Sequence, residues 1–404
     1  MSDDRFTRNS WPTLGIEIEL QLVDARTMGL RSAIGELLAG LPAASRESVK
    51  PEFMQCYVEI NSEVCRTVTH AEEDLTPKLL AVQAAADGLG LRLFWSGTHP
   101  FSRWQDQRIT PNARYIRLAD QLRETVVRPV TFGLHVHVGV RSGDHAIQVG
   151  NLLQPHLPLL LALSANSPFW EGRSTGHQAH RIEILEGFPT GGLPPVLGGW
   201  DDYLSLVRQM MSAGFIDSPK ELWWDVRPSP ASGTIEVRVC DMPLDLPAVL
   251  GLTALIQCLV HELSAQFESG KQGPSFHPLM IRQNRWRACR DGLGADLVDP
   301  LTLQPRPARL LAEELATRLA NVAEELGCTR HLKHIFAMVS GGTGADRQSA
   351  VYEGTGSLVE VVRRSVRHSE IGATPIPPLE RLVQELPPGN GATDSVVRPG
   401  ALLS

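Results

Sequence analysis

Four short segments of this chain alternate strictly between apolar and polar residues, and in each the polar face carries reactive groups. Gly15-Ile-Glu-Ile-Glu-Leu-Gln-Leu puts Ile16, Ile18, Leu20 and Leu22 on one side and Glu17, Glu19 and Gln21 on the other. Tyr57-Val-Glu-Ile-Asn sets Val58 and Ile60 against Glu59 and Asn61. Leu134-His-Val-His-Val-Gly-Val sets three valines against His135 and His137, and Thr234-Ile-Glu-Val-Arg-Val-Cys sets Ile235, Val237 and Val239 against Glu236 and Arg238. A period of two marks a β-strand, because successive Cβ atoms point to opposite faces. Each strand therefore needs helices on its apolar side and leaves carboxylates, imidazoles and a guanidinium on the other.

Helical periodicity occupies Ala71–Gly88, Asp201–Ala213, Leu246–Glu268, Arg306–Leu326 and Ser357–His368, with Gly327 placed to end the fourth. Strands and helices do not alternate as βαβ units. The expected class is α+β, a largely antiparallel sheet with helices packed on one side. No linker interrupts residues 1–369, expected to form one catalytic domain. Residues 370–404, rich in Pro and Gly, read as a C-terminal tail.

The polar faces point to a cation. Glu17 and Glu19 are about 6.5–7 Å apart along one strand. Adding Glu59, Glu236 and an imidazole to one concave face crowds like charges, which costs energy without a cation among them. Oxygen ligands with a single imidazole suit Mg²⁺ or Mn²⁺ better than zinc. A lone Glu-x-Glu would be an ordinary solvated face; four such strands in one chain make the stronger case. Arg238 shares a face with Glu236 and either pairs with it or grips a phosphoryl oxygen beside the metal, since guanidinium forks match phosphate. Arg173, in Glu-Gly-Arg-Ser-Thr-Gly, is either solvated or a second such group. Cys240 follows in phase with Glu236 and Arg238 and reads as a small wall residue rather than a nucleophile.

Exclusions narrow the class. Lys and Arg total 38 against 45 Asp and Glu in 404 residues, a net charge of -7, which disfavours nucleic acid. No P-loop, Rossmann glycine fingerprint, nucleophile elbow or His-Glu-x-x-His is present. Six cysteines include no Cys-x-x-Cys pair. Leu157–Ala165 is too short to span a bilayer, and Ala248–Phe267 carries Gln257, His261, Glu262 and Gln266, so it reads as a buried helix. With no apolar signal core at Met1-Ser-Asp-Asp-Arg, a reduced cytoplasmic protein without membrane or nucleic-acid partners is expected.

Thr13-Leu-Gly-Ile-Glu-Ile-Glu-Leu-Gln, Gly133-Leu-His-Val-His-Val-Gly, Gly187-Phe-Pro-Thr-Gly-Gly-Leu-Pro, Gly233-Thr-Ile-Glu-Val-Arg-Val-Cys-Asp and Asn284-Arg-Trp-Arg-Ala-Cys-Arg-Asp-Gly-Leu, in that order, resemble the glutamate–cysteine ligase type 2 family. The resemblance runs from about Thr13 to His368. It implies a glutamine-synthetase-like catalytic funnel, a curved antiparallel sheet with helices packed on its outer face, and ATP-dependent condensation of a small-molecule carboxylate with an amine through an acyl phosphate. It implies metal ligation by Glu17, Glu19, Glu59 and Glu236, with His135 preferred over His137 and Glu52 as a further candidate. Arg238 and Arg173 match the arginines that contact the transferring phosphoryl group. Asn284, Arg285 and Arg287 belong to a characteristic motif, in which Arg285 or Arg287 either binds a substrate carboxylate or pairs on the surface. Glutamate and cysteine are the family's default substrates, although nothing diagnostic of a cysteine pocket stands out. The competing readings are another carboxylate and amine, a guanidino-kinase-like phosphotransferase, and an inactive ligand-binding homologue. The oligomeric state stays open, with a homodimer as the form considered.

Overall fold

The spine of the molecule is an eleven-residue strand, β1, Leu14–Asp24. Around it lie β2 (Val49–Pro51), β3 (Tyr57–Asn61), β4 (Leu91–Phe94), β5 (Leu134–Gly139), β6 (Val226–Ser229) and β7 (Thr234–Val237). The sheet runs β6-β7-β5-β1-β3-β2, with β4 pairing the far end of β1, and every pairing is antiparallel. The computed structural model describes residues 6–372 except 272 and 275, together with 379 and 381. The expected tail, 370–404, lies outside the described residues apart from 370–372, 379 and 381.

Five helices bear on the site: α1 (Val68–Gly88), α2 (Gly143–Leu153), α3 (Leu157–Ser164), α4 (Leu246–Glu268) and α5 (Pro278–Asp291). Ile16, Ile18, Leu20, Leu22, Val58, Ile60, Val136, Val138, Ile235 and Val237 are fully buried and join residues of α1, α2, α3 and α4 in one continuous core. A slip of one residue in β1 would exchange its apolar and carboxylate faces, so this packing fixes the register.

Helix α4 shows how local signals serve the core. Asp245 caps it by accepting from Ala248 N, and Pro247 occupies its first turn, where no backbone donor is needed. The helix is buried along most of its length, as an all-round apolar pattern requires. Loss of one buried leucine, such as Leu255→Ala, would cost about 2–5 kcal/mol. The stretch Gly143–Ser164 and helix Leu246–Glu268 are long and apolar enough to cross a membrane by length and composition, and both are mostly buried inside the fold.

Sequence and structure differ in detail. The single helix expected over Arg306–Leu326 is two, Ala308–Arg318 and Ala320–Glu325, and Gly327 follows with φ +68. Cys240 does not share the face of Glu236 and Arg238. Strand β7 ends at Val237, the alternation lapses, and the Cys240 thiol lies in the core 3.9 Å from the Leu160 carbonyl of α3. Burial pushes that thiol up to about 12, which disfavours the thiolate that a nucleophile needs.

Candidate active site

The register decides which groups meet. Across the sheet Glu17 stands between Asn61 and His135, Glu19 opposite Glu59, and Glu236 between Arg227 and His137. All of these side chains leave the same face, because each occupies the polar phase of its strand. Gly15 lies opposite His137, where an added Cβ would be in ordinary van der Waals contact with the His137 Cβ at 3.4 Å.

The face divides into two halves by charge. In the first, carboxylates and cations are matched. Glu17 receives His135 Nδ1 at 3.0 Å and His137 Nε2 at 3.4 Å. Glu236, 1% exposed, is held by Arg227 through Nε at 2.7 Å and Nη2 at 3.3 Å, and by Arg238. Arg238 Nη1 also lies 3.3 Å from His135 Nδ1, while His137 Nδ1 meets the Thr234 hydroxyl at 2.8 Å. Burial opposes the charge on Glu17, but the bonds and fields of His135 and His137 outweigh it and hold its carboxyl well below the usual range. Burial likewise opposes the charge on Glu236, and Arg227, Arg238 and His137 hold it far below its ordinary value. Burial and the Arg238 charge bring His135 down to about 4, which leaves it neutral at pH 7. His137 goes the other way: burial disfavours its charge, but Glu236 and Glu17 raise its value.

The second half has too few cations. Glu19 accepts from Gly133 N at 2.5 Å, and burial, only partly offset by the charge of Arg181, pushes its carboxyl up to about 7. Glu59 accepts from Asn61 Nδ2 at 2.9 Å and is raised by burial and by the charges of Glu17 and Glu52. Glu52 accepts from Phe53 N at 3.2 Å and Tyr115 Oη at 3.4 Å and is raised by burial and by Glu19. Three carboxyls forced toward their neutral forms on one sheet face are what a missing countercharge produces.

The donor set fits a divalent metal. One ligand atom each from Glu17, His135 and Glu236 lie within 4.8 Å of one another. His135 Nε2 is buried without a hydrogen-bond partner, and a buried polar atom of that kind is rare unless it has another use. Carboxylate oxygens with one neutral imidazole match Mg²⁺ or Mn²⁺.

The remaining expected residues make their contacts outside this cluster. Arg173 is exposed on the short strand Arg173–Ser174, and its charge bears on His180. Asn284, on α5, exchanges two 2.8 Å hydrogen bonds with the backbone of Val298. Arg285 is buried, gripping Asp225 through Nε at 2.6 Å and Nη2 at 3.3 Å and Glu186 through Nη1 at 2.6 Å. Arg287 donates to the Asp296 carbonyl at 2.9 Å. Each of the three thus has a protein partner. Sequence reasoning missed Arg227 and Arg181. The first had a signal, since Val226-Arg-Pro-Ser alternates and places Arg227 on the polar phase; the second, inside the short helix His180–Leu185, had none.

With this geometry in hand, comparison with known proteins is specific. The family described as glutamate-cysteine ligase family 2 matches residues 13–367. A protein of Gloeobacter violaceus, provisionally named glutamate–cysteine ligase 2, is 43% identical over 359 residues, covering 88% of this chain and 96% of the relative. One of Rubrobacter xylanophilus, provisionally named glutamate–cysteine ligase 2-1, is 42% identical over 354 residues, covering 88% and 94%. Among solved structures, the glutamate–cysteine ligase of Francisella tularensis in complex with AMP superposes with a TM-score of 0.66 at 13% identity, covering 94% of this chain and 93% of that one. A bifunctional glutathione synthetase from Pasteurella multocida gives 0.60 at 14% identity, covering 92% and 52%. At such identities the likeness speaks for the fold, and it agrees with the antiparallel sheet and outer helices expected from the sequence.

Proposed function

The chain belongs to glutamate–cysteine ligase family 2 and is an ATP-dependent carbon–nitrogen ligase, and we propose that the polar face of its sheet activates a small-molecule carboxylate for attack by an amine, with glutamate and cysteine as the first pair to test. The observation that carries this reading is the joining of Glu17, His135, Glu236 and Arg238 on one face, with three under-compensated carboxyls beside them.

We assign metal ligation to Glu17, His135 and Glu236, with Glu19, Glu59 and Glu52 as ligands on the acidic half. A divalent ion bound there would neutralise the phosphate oxygens of ATP as charge shifts during transfer. His135 supplies a neutral imidazole, since burial and then the Arg238 charge disfavour its protonation. Arg238 offers a guanidinium beside Glu236 to the transferring phosphoryl group, where a fixed positive charge acts strongly because the site is largely shielded from water. The carboxylate attacks the γ-phosphorus, the bond to the ADP oxygen breaks, and an acyl phosphate forms. The amine then attacks the acyl carbon and gives up a proton to solvent, and inorganic phosphate leaves with its bonding electrons and one of the carboxylate oxygens, so each turnover converts ATP to ADP and phosphate and joins the substrates through an amide. No protein nucleophile takes part, in keeping with the buried Cys240. All six cysteines are free and buried, which supports a reducing, cytoplasmic setting.

The test is phosphate release from ATP and Mg²⁺ by the full chain, with paired carboxylates and amines beginning with glutamate and cysteine, and mass spectrometry of the products. An ATP-dependent product with the mass of the pair less water is expected. A phosphorylated substrate that accumulates without amide would turn the reading toward a guanidino-kinase-like transferase, and product formed without ATP would end it.

A further inference from the structure

Arg181 is a buried guanidinium that the reaction outlined above does not use. It is 3% exposed and makes no salt bridge among the described residues, and its Nε has no hydrogen-bond partner. A buried, unpaired charge costs several kcal/mol unless its surroundings answer it. The surroundings are two backbone carbonyls: Nη2 donates to Arg238 O at 3.3 Å and Nη1 to Val239 O at 3.4 Å. Its charge also lies in the fields of Glu19 and Asp241.

Two features fix where that guanidinium stands. The first is Gly133: a Cβ there would lie 2.3 Å from Arg181 Nη2 and 2.8 Å from its Cζ, so the head group occupies the space of a missing side chain. The second is a buried chain of hydrogen bonds behind it. Arg181 N donates to Ser167 Oγ at 3.0 Å, Ser167 Oγ to Asp241 Oδ2 at 2.6 Å, and the same oxygen accepts from Asn166 N at 2.9 Å. Gly133 N in turn donates to Glu19. One side chain therefore touches the backbone of Arg238 and the residue that tethers Glu19.

We propose that Arg181 is a positioning residue of the ligase: seated against Gly133, it holds the carbonyls of Arg238 and Val239 and so sets where the Arg238 guanidinium stands over Glu236 and His135. The inference rests on the ligase reading, because it gives Arg238 a purpose worth positioning. A merely structural Arg181 would affect folding stability alone. A positioning Arg181 affects turnover in a protein that stays folded, since a misplacement of about 1 Å can cost about 100-fold in rate.

The experiment compares wild type, Gly133→Ala, Arg181→Lys and the double variant, each as the full chain with ATP and Mg²⁺. Gly133→Ala leaves every polar group in place but forces the guanidinium out; Arg181→Lys removes the fork and leaves room for the added methyl. Each single variant is expected to lower kcat by about tenfold or more, with KM for ATP within about twofold and thermal unfolding near wild type. The double variant is expected to be no slower than Arg181→Lys alone. Wild-type kcat in Gly133→Ala, a loss of kcat matched by a loss of folded protein, or multiplicative effects in the double variant would each overturn the proposal. A crystal structure of Gly133→Ala reads the same point without turnover: the Arg238 guanidinium is expected to have left Glu236 and His135, and an unmoved Arg238 overturns the proposal. Should wild type itself form no ATP-dependent product, the ligase reading fails on that result, and the crystal structure still decides the role of Arg181.

Discussion

Glu17 and His135 face each other on neighbouring antiparallel strands and meet at 3.0 Å through Oε2 and Nδ1, leaving His135 Nε2 buried and unpartnered. The pair places a charged carboxylate and a neutral imidazole next to Glu236, a combination suited to a divalent cation.

Substitution of Glu17 or Glu236 by Gln keeps the shape and removes one negative charge. Because loss of even a supporting partner of a metal ligand costs about 10–100-fold, turnover in either variant is expected to fall by at least about 100-fold. Magnesium titrations of activity, beside circular dichroism to confirm the fold, check this. Turnover close to wild type at ordinary magnesium would remove both residues from the metal site.

Arg238 touches Glu236 and His135 and stands where phosphoryl charge develops in the proposed reaction. Arg238→Ala is expected to lower kcat by about 100–1,000-fold, the usual loss for one preorganised donor, while ATP affinity changes far less. Equilibrium binding of ATP measured beside kcat separates the two effects. Weakened binding with unaltered kcat would contradict the assignment.

Glu19 gives a pH-dependent prediction. Its carboxyl titrates near 7 in the fold against an ordinary value of 4.5, because burial disfavours its charge. The fold then binds that proton more tightly than the unfolded chain does, so this residue's contribution falls as pH rises from about 4.5 to 7. His135, held near 4, slopes the opposite way over much of that range, so wild type is best compared with Glu19→Gln at each pH. In urea unfolding without divalent cations, the variant is expected to match wild type near pH 4 and to exceed it near pH 8 by on the order of 3 kcal/mol. Added Mg²⁺ should narrow the gap at pH 8. A variant less stable than wild type at pH 8 would show that the Glu19 charge is already compensated.

Arg285 is expected to act on stability. Its fork on the buried Asp225 leaves, on truncation, an unpaired buried carboxylate, so Arg285→Met should cost about 3–5 kcal/mol. KM for carboxylate and amine should stay within about twofold. Unchanged unfolding together with a tenfold rise in either KM would give Arg285 the substrate-binding role suggested by its motif.

The sequence by itself determined which residues share a face. Alternation is a local property of an extended chain, so Glu17, Glu19, Glu59, His135, Glu236 and Arg238 could each be assigned to the polar face of its own strand before any contact was known. It also determined that α4 is a buried helix, since polar residues there are too sparse to form a wet side. Only the tertiary structure decided which carboxylate receives which cation. Glu236 gains Arg227 because β6 pairs with β7 in a register that sets the two opposite, whereas Glu19 faces another carboxylate, Glu59. The fork of Arg285 on Asp225, the seat of Arg181 against Gly133 and the turn of Cys240 into the core were equally beyond local pattern. Their partners are distant in sequence and come together through sheet order and helix packing, whereas the period of two describes a single strand.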